Sequence, residues 1–198
     1  MKKLILMNQA RLGQLGEWLI GGPLVPEHKL GDTRFRFDFY FPNPRVALEF
    51  DGPEHYSKVD HIDRDQRKLE TATREGISII RWPYYLQMSR EVTAALFGTH
   101  FSDVGYAKAM QGIFGGLSKS AIPPSGWYKT PETPANFPRR GCDRLLAELG
   151  AMPVAVQREV FHSLLDYSMR CGAGKSWLVL PEHDPRIADF IALVCSRN

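Results

Sequence analysis

Between Arg34 and Tyr40, Phe35, Phe37 and Phe39 occupy every second position, separated by Arg36 and Asp38 and flanked by Arg34 and Tyr40. That period of two predicts a strand with one apolar face. Val46 to Asp51 repeats it, with Val46, Leu48 and Phe50 on one side and Ala47, Glu49 and Asp51 on the other. The intervening Pro42-Asn43-Pro44-Arg45 suits a turn, because proline fixes φ and removes a ladder donor, so an antiparallel hairpin is expected. A symmetric connection from Phe41 to Val46 sets Asp38 opposite Glu49 and Arg36 opposite Asp51. From Asp60 to Glu75 the period becomes helical: Ile62, Asp65, Leu69 and Ala72 share a face, Lys68 lies beside it, and Gly76 supplies the stop. Ile77 to Trp82 follows as a β-branched strand ended by Pro83-Tyr84.

Outside this stretch the pattern predicts mainly helix. Leu12, Leu15 and Leu19 form the buried stripe of a first helix, on which Glu17 points roughly the opposite way. Glu91 to Leu96 reads as a short helix closing the core, and Phe101 to Phe114 as another, loosened by Gly105 and Gly112. Five prolines between Ala121 and Gly141 read as an extended linker or binding loop. Cys142 to Met169 returns to helical periodicity, broken near Gly150 and Pro153; Trp177 to Leu180 is a short strand candidate and Pro185 to Val194 a final helix. The expected division is 1–98 as an α/β core, 99–140 as helix and proline-rich loop, and 141–198 as a mainly helical region whose role the sequence leaves open.

Chemistry gathers on the hairpin. Directly opposed residues hold their Cβ atoms about 5 Å apart, so Asp38 and Glu49 are pressed together, and like charges so placed are destabilising without a cation between them. A hard cation bound by carboxylate oxygens and water, Mg²⁺ or Mn²⁺, would relieve that repulsion. The competing reading is an ordinary Arg36–Asp51 cross-strand ion pair with Asp38 solvated at the sheet edge. His55, just past the Gly52-Pro53 bend, could fold over the site and exchange a proton near neutral pH, or could be purely structural. Lys68 either joins the site or lays its stem over the core edge with its amine in water.

The ordered pieces DFYFPNPRVALEFDGPEHY and RDQRKLETATREGISIIRWPYYL resemble the restriction-endonuclease-like PD-(D/E)XK superfamily. Within it they are most similar to the branch of very-short-patch-repair-like and related phage or bacterial endonucleases, in which a DF strand precedes an IE-x-DG-x-x-H strand end and a helix bearing D-x-x-K. The resemblance covers roughly the first half of the chain. It implies an α/β, restriction-endonuclease-like core, a mixed central sheet flanked by helices, carrying a metal-dependent phosphodiesterase site. Asp38 then matches the metal-ligating aspartate, and Glu49 the second acidic residue. His55 matches the branch histidine, and Asp65 and Lys68 the aspartate and lysine of the following helix. Asp51 stands where the superfamily usually has lysine, so Lys68 would replace that lysine from the neighbouring helix, and Asp51 would be a third metal ligand or the partner of Arg36. The superfamily often adds a glutamate from its first helix, for which Glu17 is the candidate. Very-short-patch-repair enzymes carry a structural zinc, for which this sequence shows no ligand set.

Composition permits this reading without demanding it. The 198 residues are 43% hydrophobic and 24% charged, ordinary for a chain that buries a core. A net charge of +3 is only mildly basic, so affinity for double-stranded DNA would have to come from a local patch. Arg36 and the loop residues Trp127, Lys129, Arg139 and Arg140 combine cations with an aromatic face, the mixture that contacts phosphates and stacks bases; a linker pinned to the core is the alternative. Cys142, Cys171 and Cys195 show no paired spacing, which favours a reducing cytoplasm, in a bacterial or phage-infected cell on the implied lineage. Leu4 to Met7 is too short an apolar run for a signal peptide, and no segment is expected to span a membrane. Gly172 to Ser176 lacks the first glycine and the preceding strand of a phosphate-binding loop. The expected activity is a Mg²⁺-dependent endodeoxyribonuclease, with a homodimer and an RNA substrate left open. The alternatives are a non-cleaving nucleic-acid-binding protein on the same scaffold and a protein-interaction module.

Overall fold

A computed structural model describes residues 7–115, 134 and 137–170. Over these the chain is α/β, with seven helices and one mixed four-stranded sheet. Strands β1 (Val25–Lys29), β2 (Arg36–Phe41), β3 (Val46–Asp51) and β4 (Ser78–Pro83) lie in sequence order across it. The first three are antiparallel, and β4 runs parallel to β3. Helices α2 (Glu54–Ser57) and α3 (Val59–Arg74) form the crossover that a parallel pair requires.

The hairpin has the expected register, with Phe39 opposite Leu48, Tyr40 opposite Ala47 and Phe41 opposite Val46. The ladder stops short of Asp38, whose carboxylate instead accepts the Phe50 amide at 2.7 Å. The simple alternation also fails there. Phe39 and Phe41 pack with Leu48 on one side of the sheet, whereas Phe35 and Phe37 join Tyr40 and Ala47 on the other. Opposite this interruption, Glu27 of β1 adopts φ +50. Strand β1 itself carries no apolar alternation; as an edge strand it tolerates Pro26 and stays polar, which explains why periodicity does not reveal it.

One sheet face is covered by α1 (Gln9–Leu19), capped by the Asn8 side chain on the Arg11 amide at 2.9 Å. Gly13 and Gly16 let α1 lie close to the sheet, since a Cβ at Gly13 would come within 2.7 Å of the Phe39 ring and one at Gly16 would collide with Leu48. The other face is covered by α3, where Leu30, Phe37, Tyr40, Ala47, Ala72 and Ile77 form a smaller cluster. Arg45 donates to the Glu75 and Gly76 carbonyls at 2.5 and 3.4 Å and so ties the hairpin turn to the C-terminal end of α3.

Helix α3 matches its expected span within one residue at each end, but its buried stripe is different. Ile62, Asp65, Lys68 and Ala72 face inward, whereas Leu69 is 40% exposed. The helix buries two charges and turns a leucine to water, the reverse of what apolar spacing predicts, because the opposing wall contains Glu49 and Asp51.

Helices α4 (Arg90–Phe97) and α5 (Asp103–Phe114) fall where expected, capped by Ser89 and Ser102. α6 (Arg139–Gly150) and α7 (Val154–Arg170) break at Pro153 as the pattern predicted. Arg139 and Arg140 belong to the first turn of α6, following Pro138, and not to an extended loop. One apolar cluster draws on Leu12, Trp82, Ala109, Phe137, Leu145 and Leu164, hence on all three segments of the expected division. Trp127, Lys129, Cys171, Cys195 and the elements expected beyond Arg170 lie outside the described residues. Among the described residues no helix is long and apolar enough to cross a membrane.

Candidate active site

Two neighbouring acidic centres form where β3 meets α3. The first opens to solvent. Asp38 from β2, Glu49 from β3 and Lys68 from α3 line one cavity of about 720 Å³ together with His55, His61, Asp65 and four arginines. Glu49 is buried and ion-pairs with the equally buried Lys68, whose ammonium also sits 5.1 Å from the Phe37 ring centre. Lys68 therefore does not hold its amine in water; it reaches inward to the strand carboxylate. Burial is the largest influence on Glu49 and pushes its carboxyl up to about 7, against the pull of Lys68 and with a further push from Asp38. Asp38 is also raised by burial, in part offset by the Phe50 amide. The two carboxylates thus line one cavity, although the β2–β3 ladder does not extend to Asp38.

The second centre is built around Asp51. Its side chain is wholly buried and does not face Arg36, which instead donates to the Glu27 carbonyl at 3.0 Å. The cross-strand ion pair is replaced by two other arginines. Arg81 from β4 reaches both Asp51 oxygens at 2.9 and 3.1 Å, and Arg144 from α6 pairs with Asp51 Oδ2. Arg144 also bonds Asp65 Oδ2 at 2.8 Å, the His55 carbonyl at 3.2 Å and Glu148 at 2.8 Å, and lies 4.8 Å from the Tyr56 ring centre. Glu148 in turn accepts the Tyr56 and Tyr85 hydroxyls at 2.6 and 3.2 Å. Burial opposes ionisation of Asp65, but the His55 hydrogen bond and the Arg81 charge outweigh it and hold the carboxyl well below its usual range.

His55 links the two centres. Its Nδ1 lies 2.5 Å from Asp65 Oδ2 and 3.5 Å from Asp51 Oδ1, while the residue lines the open cavity. Nδ1 is thus engaged by the Asp65 carboxylate, and Nε2 is the ring nitrogen left for another partner. His61, absent from the sequence reading, stands edge-on to His55 with ring centres 5.7 Å apart.

Asp51, His55 and Asp65 place ligand atoms within 4.8 Å of one another and could hold a metal ion. Two guanidinium groups already occupy the carboxylates there, so a dication would enter against two fixed positive charges. Asp38 and Glu49 offer hard oxygen donors on the solvent-open cavity, where Lys68 is the ion-pair partner of Glu49, and they too could hold a metal ion. Glu17 lies on the exposed side of α1, which packs on the opposite sheet face from α3, and it does not line the cavity. Arg139 is exposed, and Arg140 pairs with Asp63 at 2.5 Å.

Arg81 and Arg144 are the functional residues that the sequence hid. Arg81 interrupts an otherwise apolar strand beside Glu49, a signal that a parallel register would have revealed. Arg144 carries only the four-residue spacing to Glu148, and its partners lie about 80–90 positions away. No protein-family profile, curated protein or solved structure matches the chain.

Proposed function

We propose that this chain is a metal-dependent endonuclease of restriction-endonuclease-like fold, hydrolysing phosphodiester bonds in DNA. The observation that carries this reading is the convergence of Asp38, Glu49 and Lys68 from three elements on one solvent-open cavity. Carboxylates raised chiefly by burial gain most from exchanging a proton for a cation, and Asp38 and Glu49 would hold it. A bound Mg²⁺ or Mn²⁺ would polarise the phosphate and lower the pKa of an attacking water. Lys68 presents its ammonium beside Glu49, where it offsets negative charge building on the phosphoryl oxygens. His55, oriented through Nδ1 by Asp65, offers Nε2 to take or place the proton of the nucleophilic water. Arg81 and Arg144 neutralise Asp51 and Asp65 and keep that orientation. The free, buried Cys142 fits a reducing cytoplasm.

The test is incubation of the purified protein with supercoiled plasmid in Mg²⁺, Mn²⁺ or chelator, with end mapping of products. Cleavage is expected only with divalent metal and should vanish in Asp38→Ala and in Glu49→Ala. Cleavage that survives both substitutions sinks the assignment, and DNA binding without hydrolysis in either metal favours the non-cleaving alternative. A second placement of the metal, on Asp51, His55 and Asp65, follows from their proximity. Calorimetric titration of Mn²⁺ into Asp38→Ala separates the two, since undiminished binding would move the metal there.

A further inference from the structure

The rim of the cavity contains more positive charge than the carboxylate centre uses. Arg34 and Arg36 enter at the start of β2, and Arg64 and Arg67 from α3, all four exposed and all lining the same cavity as Asp38 and Glu49. Of the other arginines among the described residues, Arg90 is matched to Asp103, Arg140 to Asp63, and Arg81 and Arg144 to Asp51, while Arg45 and Arg74, away from the cavity, bond backbone carbonyls and the Thr71 hydroxyl. None of the four rim arginines has a carboxylate partner among the described residues; Arg36 and Arg67 touch only the backbone carbonyls of Glu27 and Asp63. Of the rim acids, Asp63 is already taken by Arg140, and the exposed Asp60 makes no ion pair with any of the four among the described residues.

Four unmatched guanidinium groups around a cavity with buried carboxylates make a specific electrostatic shape. An anion approaching Asp38 and Glu49 is repelled unless cations hold it on either side. A single phosphate would be satisfied by one bidentate arginine. Arg64 and Arg67 are neighbours on the helix surface, about 5–6 Å apart at Cβ, while Arg34 and Arg36 come from a separate element. Cations spread over two elements fit an extended polyanion that runs across the cavity.

We infer that Arg34, Arg36, Arg64 and Arg67 form a backbone clamp that binds successive phosphates of a nucleic-acid strand on both sides of the Asp38–Glu49 centre. This deepens the nuclease reading and rests on it for the identity of the site. The clamp recognises phosphates and not bases, so it supplies affinity and register without sequence preference. It also makes polynucleotides, and not mononucleotides or phosphomonoesters, the ligands of the cavity.

The test measures binding of a fluorescein-labelled DNA duplex in Ca²⁺ by anisotropy, between about 50 and 200 mM salt. Each phosphate contact contributes about 0.9 to the slope of log affinity against log salt for duplex DNA and about 0.7 for single strands. Arg34→Ala, Arg36→Ala, Arg64→Ala and Arg67→Ala are each expected to lower that slope by about one contact, and all four together by about 3–4. Arg74→Ala, on the exposed last turn of α3 and outside the cavity, should leave it unchanged. Because all five residues are exposed, melting temperatures should stay near the parent value. A slope that ignores the four substitutions, or falls equally with Arg74→Ala, overturns the clamp. Absence of DNA binding by the parent protein overturns it as well. Plasmid cleavage with an unchanged slope removes only this inference; a slope that falls as stated without any cleavage supports the clamp and removes the nuclease reading.

Discussion

Replacing Arg144 with methionine tests whether helix α6 is part of the site or merely lies beside it. Arg144 bonds Asp65, Glu148 and the His55 carbonyl, and pairs with the wholly buried Asp51. In the parent, Asp51, Asp65 and Glu148 share two guanidinium groups, Arg81 and Arg144; in the variant they share one. Removing one partner from a buried ionic group costs about 3–5 kcal/mol, because the remaining charge stays desolvated and unpaired. For a chain of this length that corresponds to a fall in Tm of about 6–20 °C. The loss should depend on pH with a defined sign. Burial raises Glu148, and Arg144 is the chief influence lowering it; Arg144 also helps to hold Asp65 low. Without Arg144 both carboxyls move up in the folded state, so the variant's deficit is full above their raised values and shrinks as pH falls through them. Adding Glu148→Gln to Arg144→Met should recover about 1 kcal/mol or more, since it removes one orphaned charge and keeps an acceptor for the tyrosines. Urea and thermal unfolding followed by tryptophan fluorescence, with the wholly buried Trp82 as reporter, measure the parent and both variants. An Arg144→Met protein whose Tm stays within about 2 °C of the parent at pH 8 would refute the reasoning.

Three further outcomes bear on the fold and the site. Leu69→Ser should change stability by no more than about 0.5 kcal/mol, whereas Lys68→Met should cost about 3 kcal/mol or more, and equal effects in chemical denaturation would contradict the α3 register. Gly16→Ala should cost about 1–3 kcal/mol through collision with Leu48, read as a lowered urea midpoint; a neutral result would mean that α1 stands farther from the sheet. Asp65 is held below its ordinary value of 3.8, so its contribution is complete above that value and is lost as pH falls toward the folded value. Asp65→Asn should therefore flatten the acid limb of the stability profile, and an unchanged slope below about pH 4 would show that Asp65 carries no net interaction.

Local pattern was enough for much of the core. The alternation after Arg45, the proline turn and the helical period from Asp60 determine β3, the hairpin register and α3, because side-chain burial in each depends on neighbours a few residues away. That is also why Asp38 and Glu49 could be brought to one place from sequence alone. The same logic misplaced Phe37, which changes sheet face where the alternation breaks at Asp38, and Leu69, which yields its inward position to Lys68. Strand β1 escaped because an edge strand needs no apolar stripe.

Tertiary structure alone decided how the charges are shared. Asp51 could have been a metal ligand or the partner of Arg36; Arg81 and Arg144 take it instead, from a parallel strand and from a helix far along the chain. Pairing of buried charges is set by distance and desolvation in the assembled interior, and no periodicity encodes which of several arginines arrives there. The sequence by itself brought Asp38 and Glu49 to one cavity. Only the fold separated them from Asp51, matched the inner arginines to acids, and left Arg34, Arg36, Arg64 and Arg67 without carboxylate partners at the cavity rim.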